Sequence, residues 1–469
     1  MLYLPNMKPS KTVFITSFHP LISRNIVNTA IPALLVREGF SVVVLVPEFK
    51  IGYFREAFKA PGVTFQGVVT GAVVRTKRVG LLKRLAEALP DTVRANLGRR
   101  LTLDGRRKSA FYYYFFYYPA HFLGKSHFAM KFIRLIDYLI SPRGRFALLI
   151  DKYQPALIFS TDVQNENDVS LMQDGKRAGI PIVGMVRSWD NLVMRAFRFL
   201  PSRLIVHSEL LKRQAIALYG IKPDSIVVTG IPHYDRYLKE KENIDREVFL
   251  RQIGLDPAKK TILFFPLCDY RVVWDSDGRR RLVDLEVLNA LAGIPGVNII
   301  VRFPPNETVS IGDFSPPPNF YFDRPGVAFG TEQVTTREVS DNDDLRLMKE
   351  LAVSDVVVMG PSTAVIDAVL FNKPVVFVDF SSDSPRLGNN VGQAFEYESE
   401  HILDILRAEG TRSAHNDSEL RGLITEYLTR PDRNEEGRQR IVREQCFRTD
   451  GLSSKRVVDI LLEVLHDRM

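Results

Sequence analysis

The stretch DVVVMGPSTAVIDAVLFNKPVV, residues 355–376, decides the fold. Apolar residues after Asp355 close on Gly360-Pro361, and two hydroxyl residues follow. An apolar-periodic run then leads to Asn372-Lys373, and Pro374 opens a second short apolar run. This pattern predicts a strand, a turn, a helix start and another strand, with strands too continuously apolar to expose either face. Such units build a parallel sheet covered on both sides. Toward the N terminus, short apolar runs at 13–16, 41–46, 64–69, 156–160, 181–186, 203–207 and 225–229 alternate with helical stretches such as 25–37 and 210–219. Nearer the quoted stretch, runs at 261–265, 298–303 and 319–322 form a second series, with helices at 281–291 and 343–353. The fold expected is α/β, with two Rossmann-like domains facing across a cleft.

A chain of 469 residues exceeds one ordinary core and suits two domains. We expect an N-terminal domain over 1–240 with an insert at about 72–148, a C-terminal domain over 241–433, and C-terminal helices over 434–469 around Thr449-Asp450-Gly451. Residues 235–256, with the run Lys239-Glu240-Lys241-Glu242, read as a linker. Hydrophobic and charged contents of 45% and 25% are those of a globular protein rather than a disordered one. Two cysteines, Cys268 and Cys446, form no disulfide framework, which suits a reducing cytosol. The basic residues 7–11 run into the first strand without the pattern of a cleavable signal. No run of about 18 apolar residues is present, so no membrane span is expected.

The net charge of +8 is unevenly placed. Between Arg75 and Arg145 stand 16 Lys and Arg against four acids, an excess of +12 that leaves the rest of the chain at −4. Within it lies the aromatic run Phe111-Tyr-Tyr-Tyr-Phe-Phe-Tyr-Tyr-Pro119, flanked by Arg106, Arg107, Lys108, Lys125, Lys131 and Arg134. Aromatics favour the headgroup boundary and cations favour acidic lipid, so an anionic membrane surface is the partner expected. Nucleic acid stacking on the same aromatics is the rival and is not preferred. A buried aromatic helix beside a solvated basic neighbour would also produce this pattern.

In an open α/β sheet, ligands bind beyond the carboxyl ends of the strands. At the end of the quoted strand, Gly360, Ser362 and Thr363 can hold a phosphate on free backbone N–H groups and hydroxyls. Asp367, one turn on, can accept from ribose hydroxyls. An ordinary cap and first-turn acid would read the same way. His19, after the first strand, is placed to take a proton from an acceptor hydroxyl, although a lone His is commonly only a surface residue. Asp162 and Glu166 are alternative bases. Arg187, Asp190, Asn191 and His233 could form an acceptor wall, or simple loop polarity. Arg302, Asp269 and Arg271 follow second-domain strands and could meet the donor. No Cys/His spacing suggests zinc, so metal ligands and cofactors are expected to be none. Neither a G-x-G-x-x-G after the first strand nor a G-x-S-x-G elbow occurs.

With these residues assembled, the chain resembles GT-B glycosyltransferases, in particular the bacterial surface-polysaccharide branch that includes CDP-glycerol glycerophosphotransferases. The resemblance rests on residues 355–376, Ser188-Trp189-Asp190-Asn191, the stretch VTGIPHYD at 228–235, and the ending Thr449-Asp450-Gly451-Leu-Ser453-Ser454-Lys-Arg456. It implies that Ser362 and Thr363 hold donor phosphates, that Asp367 meets the ribose, and that His19 is the base or an acceptor contact. It further implies a metal-independent, inverting transfer of sugar from a nucleotide-sugar to a saccharide or lipid-linked saccharide, and the aromatic-basic insert places that acceptor, as an expectation, at the inner face of the plasma membrane. Two positions depart from the pattern. Arg302-Phe303-Pro304 stands where relatives often have His-Pro, and Pro266-Leu267-Cys268-Asp269-Tyr270-Arg271 replaces Pro-Thr-x-Arg. Both weaken polyol-phosphate transfer from a CDP-linked donor, the alternative activity, more than sugar transfer. A nucleotide-sugar epimerase shares the fold but acts on free small molecules and needs no aromatic-basic insert.

Overall fold

The structure is a computed structural model that describes residues 11–71, 77–96, 111, 113–269, 273–274, 280–329, 337–380 and 396–467. It divides into two compact units. The first comprises Met1–Pro90, Ala120–Arg236 and Arg448–Met469, and the second Asp91–Pro119 and Tyr237–Phe447.

In the first unit, strands β1 (Thr12–Thr16), β2 (Ser41–Pro47), β3 (Val63–Val68), β4 (Pro155–Ser160), β5 (Ile182–Met185), β6 (Arg203–Val206) and β7 (Ile226–Val228) form one sheet. Their order is β3-β2-β1-β4-β5-β6-β7, and all pairs are parallel. Val13, Ile15, Val42, Val44, Leu157 and Phe159 are fully buried, as expected for strands covered on both faces. Helix Ser453–His466 inserts Val457, Val458 and Leu461 into this same core. The chain's end therefore belongs to the first unit, not to a separate pair of C-terminal helices.

In the second unit, β8 (Lys260–Phe265), β11 (Val297–Arg302), β12 (Phe320–Asp323), β13 (Val356–Met359), β14 (Val375–Val378) and β15 (Thr411–Ala414) form a parallel sheet in the order β12-β11-β8-β13-β14-β15. The short β9 (Val273–Trp274) and β10 (Arg280–Arg281) make an antiparallel ribbon. The stretch read as a linker is mostly helical, with Tyr234–Glu240 and Arg246–Gln252. It is tied down because Phe249 and Leu250 are buried, while Arg246 bonds the Val353 carbonyl and Asp355. Part of the expected first-domain insert also groups with the second unit: the Val93 and Arg94 amides donate to the Glu400 carboxylate, and Arg94 Nη1 lies 3.3 Å from Ser399 Oγ.

Each sheet runs outward in opposite directions from its first strand. The strand order therefore reverses between β1 and β4 in one unit and between β8 and β13 in the other. Adjacent crossovers go to opposite faces at such a point and leave a crevice at the carboxyl ends.

Candidate active site

At the first reversal the ends of β1 and β4 are laced together. Thr161 N donates to Thr16 Oγ1 at 2.9 Å, and Thr161 Oγ1 donates to the Thr16 carbonyl at 2.8 Å. The chain beyond β1 brings out His19, and the chain beyond β4 brings out Asp162, which pairs with Arg187 at 2.6 Å. His19 is half-buried, and its pKa is lowered to about 4 by burial and then by the Arg187 cation, against the opposing Asp162 carboxylate. The ring is therefore neutral at physiological pH. Its Nδ1 accepts from Leu21 N–H at 3.2 Å, which leaves the proton of the neutral ring on Nε2.

Asp190 and Asn191 lie on the same side. Asp190 is close enough to raise the His19 pKa, and the Oδ1 atoms of both residues are buried without a hydrogen-bond partner among the described residues. His233 joins them from the end of β7. It lines a cavity of 10 Å³, about one water in size, with Asn25, Thr161, Arg187 and His207. Burial holds His207 at a pKa of about 4 and lowers His233 well below the usual range, so both rings are neutral.

Beneath this group lies a carboxyl that sequence reasoning missed. Asp168 is fully buried and accepts hydrogen bonds from Thr16 Oγ1 and, at 2.9 Å, from Ser160 Oγ. Burial, aided by the nearby Asp162, raises its pKa to about 8, so it is mostly protonated at neutral pH. It carries the Thr16–Thr161 lacing from below without placing a second charge there. A charged residue flanked by Asn167 and Val169 gave no signal of this; it emerges only when β1 and β4 are adjacent.

Glu166 is placed elsewhere. It pairs with Arg198, which also contacts Asp137 at 2.7 and 3.0 Å, in a buried network of three charges. With its carboxylate engaged there, Glu166 is not carried forward as a base. Arg302 is similar. Only 5% exposed, it reaches Asp323 at 2.6 Å, Glu350 at 2.9 Å and the Asp343 carbonyl at 2.8 Å. Its guanidinium binds β12 and helix Asp341–Val353 to the end of β11, rather than facing a phosphate.

At the second reversal, β13 ends at Met359, just before Gly360; Ser362 is half-buried and Thr363 is exposed. Ser362 Oγ accepts weakly from Ala364 N at 3.4 Å, at the start of helix Ala364–Leu370. Asp367 is only 4% exposed and lies near Cys446, whose thiol is pushed up by burial first and by this carboxylate second. Of the residues assigned to the donor here, the hydroxyl pair is the open part. After β8, Asp284 accepts from Leu267 N and Cys268 N at 2.6 and 3.1 Å and holds a turn in which Cys268 has a φ of +75°. That turn presents Asp269, which accepts from Ser310 N and Oγ at 3.0 and 2.8 Å and pairs with Arg280. Burial opposes ionisation, but the Ser310 bonds outweigh it and hold the Asp269 pKa below the usual range. Arg271 lies outside the described residues.

Two distant motifs prove to be one joint of the first unit. Asp235 accepts from Ser453 N and Ser454 N at 2.9 and 2.7 Å, placing a carboxylate on the positive end of helix Ser453–His466. Arg456 pairs with Asp450 and donates to the Thr229 carbonyl at 3.0 Å. The stretches at 228–235 and 449–456 thus fasten the last helix where β7 turns toward His233.

Two doubly wound parallel units, each with polar residues gathered at its strand reversal, define a Rossmann-like, GT-B-like fold. A family model for CDP-glycerol:poly(glycerophosphate) glycerophosphotransferase matches residues 186–463, and the chain belongs to that family. It is a transferase of the glycosyltransferase or polyol-phosphate transferase kind. No curated protein matches the sequence. Among solved structures, UDP-GlcNAc 2-epimerase from Neisseria meningitidis bound to UDP-GlcNAc is similar at 12% identity, covering 96% of this chain and 100% of that one, with a TM-score of 0.54. A variant of the wall teichoic acid polymerase TagF is similar at 11% identity, covering 99% and 90%, with a TM-score of 0.51. At these identities the likeness is one of fold.

Proposed function

We propose that the chain moves a sugar from a nucleotide-sugar to a hydroxyl of a saccharide or lipid-linked saccharide, by an inverting, metal-independent displacement without a cofactor. The observation that carries this reading is the neutral His19 beside the Asp162–Arg187 pair at one strand reversal. His19 takes the proton of the acceptor hydroxyl. Accepting it on Nδ1 gives up the Leu21 bond, a cost of about 1 kcal/mol. The acceptor oxygen attacks the anomeric carbon as its bond to the phosphate oxygen breaks, and the nucleoside diphosphate leaves with the electron pair. Ser362, Thr363 and the backbone amides beside them meet the charge that develops on it.

Two observations divide the sugar reading from polyol-phosphate transfer. The family match favours a CDP-linked polyol donor. Arg302, held by internal carboxylates where relatives often have His-Pro, is a departure from the polyol-phosphate transferase pattern and favours sugar transfer. Incubation with UDP-, GDP-, CDP- and CMP-linked sugars and with CDP-glycerol separates them. We expect thermal stabilisation by, and slow hydrolysis of, one nucleotide-sugar. CMP release from CDP-glycerol alone would select the second reading, and stabilisation by no nucleotide would defeat both.

The acceptor is reached at an anionic membrane surface on the cytoplasmic side, and nucleic acid is not a partner. Supporting this, helix His127–Ile140 turns Phe128, Phe132, Leu135 and Leu139, 80%, 56%, 52% and 53% exposed, outward as one stripe. Apolar exposure of this extent marks an interaction surface. Among the described residues no helix is long and apolar enough to cross a membrane. The protein should sediment with acidic liposomes and be released by salt, since headgroup attraction fades within a Debye length of about 8 Å. Equal sedimentation with neutral liposomes would count against a charge-selective surface. Arg106, Arg107 and Lys108 lie outside the described residues.

A further inference from the structure

Beside that stripe the first unit holds a pocket of 220 Å³ lined by Arg134, Leu135, Tyr138, Lys176, Arg198, Phe199 and Leu200. Its walls are of two kinds. Leu135, Phe199 and Leu200 are apolar, and Leu135 is also part of the exposed stripe, so the pocket borders the apolar surface directly. Of the other lining groups Arg134, Lys176 and Arg198 are cationic, and they are not equivalent. Arg198 is neutralised by Asp137 and Glu166. The Tyr138 ring face is covered by the Arg177 guanidinium at 4.7 Å. Arg134 is different: its Nη1 is buried and has no acceptor among the described residues. No described carboxylate pairs with Lys176, which is exposed at the rim. Buried guanidinium donors normally have partners, and one without invites an anionic ligand. Ligand pockets combine apolar walls with a few polar groups that fix orientation, and this one adds surplus positive charge.

We propose that this pocket seats one acidic phospholipid, with Arg134 and Lys176 on its phosphate and Leu135, Phe199 and Leu200 against the first methylenes of its chain. The site differs from the one assigned to transfer, and the inference does not rest on the transfer chemistry. A water-soluble lipid tests it apart from vesicle binding.

The full-length chain would be titrated calorimetrically with dihexanoyl phosphatidylglycerol below its critical micelle concentration. Dihexanoyl phosphatidylcholine and inorganic phosphate would be run in parallel. Saturable one-to-one binding of the acidic lipid is expected, with much weaker binding of the other two. Arg134→Gln should raise the Kd about tenfold or more, as for loss of a charge-assisted hydrogen bond. Arg134→Lys should recover part of it. Lys176→Gln, at an exposed position, gives a second variant whose folding is not in question and should also weaken binding. The proposal is overturned by an unchanged Kd in folded Arg134→Gln and in Lys176→Gln, or by the absence of saturable lipid binding. Inorganic phosphate binding as tightly as the lipid would show a plain anion site and overturn it too. Phosphatidylcholine binding as tightly as phosphatidylglycerol would overturn the acidic selectivity.

Discussion

His19→Ala lowers kcat about 10²-fold or more while donor affinity stays near the wild-type value, because a base acts in the transition state and not in ground-state donor binding. The electrostatics add a pH signature. His19 works only when neutral, and burial with Arg187 lowers its pKa to about 4. Activity should therefore persist as pH falls through 6 and decline only near pH 4, where an unperturbed histidine would already be mostly protonated near pH 5.5. Replacing Arg187 by Gln removes the largest cation acting on the ring and leaves Asp162 to raise its pKa, so the acid limb should move up. Asp162→Asn should move it down. Steady-state pH profiles of kcat/KM for the three variants check this. Near-normal turnover in His19→Ala would pass the role to Asp162, the alternative base expected there, since Glu166 is paired with Arg198.

Arg302→Met destabilises the chain by about 3–5 kcal/mol, because removing the cation leaves the buried Glu350 without its ion-pair partner, while Asp323 keeps Arg346 at 2.7 Å. Asp323 and Glu350 are both inaccessible, and the Arg302 Nη1 bridges them at 2.6 and 2.9 Å. The loss should depend on pH in a definite direction. Burial already raises Glu350 to about 7, against the Arg302 charge that lowers it. A carboxyl raised in the folded state binds more protons there than in the unfolded chain, so its contribution becomes less favourable as pH rises from about 4.5 to 7. Without Arg302 its pKa rises further, and the deficit is larger at pH 8 than at pH 5, where Glu350 is protonated. Urea unfolding at the two pH values measures the difference. A stable, folded Arg302→Met protein with weakened nucleotide binding would instead restore the phosphate-binding reading of this residue.

These two residues show how far each kind of signal reaches. His19 was legible because a strand end in a parallel sheet is a privileged position, and the period of apolar runs locates strand ends well. Arg302 also ends a strand, yet its side chain meets Asp323 and Glu350, which lie 21 and 48 residues away and come close only through the packing of β11, β12 and the helix Asp341–Val353. Glu166 had the same fate through Arg198 and Asp137. The helix expected over residues 25–37 is broken, with a π-helical turn at Ser23–Val27 and an α-helix only from Ile31, where Pro32 is tolerated in the first turn. Apolar spacing continued through the break and hid it. β15 went unread because Thr411-Arg412-Ser413-Ala414 has no apolar run; it forms as an edge strand on β14.

By itself the sequence determined what depends on neighbours along the chain: the alternation of strand and helix, two parallel α/β sheets, the helix start after Gly360 and the polar residues at strand ends. Local apolar pattern and turn chemistry carry that information within a dozen residues. The tertiary structure alone decided which charges face a ligand and which one another, because a carboxylate's role depends on the cation that packing brings to it. It set Asp162 against Arg187 beside His19, paired Glu166 with Arg198, and buried Asp168 where it stays mostly protonated. It also turned Phe128, Phe132, Leu135 and Leu139 outward, although their spacing alone reads as the core face of a helix, because Met130 and Asp137 occupy the buried side.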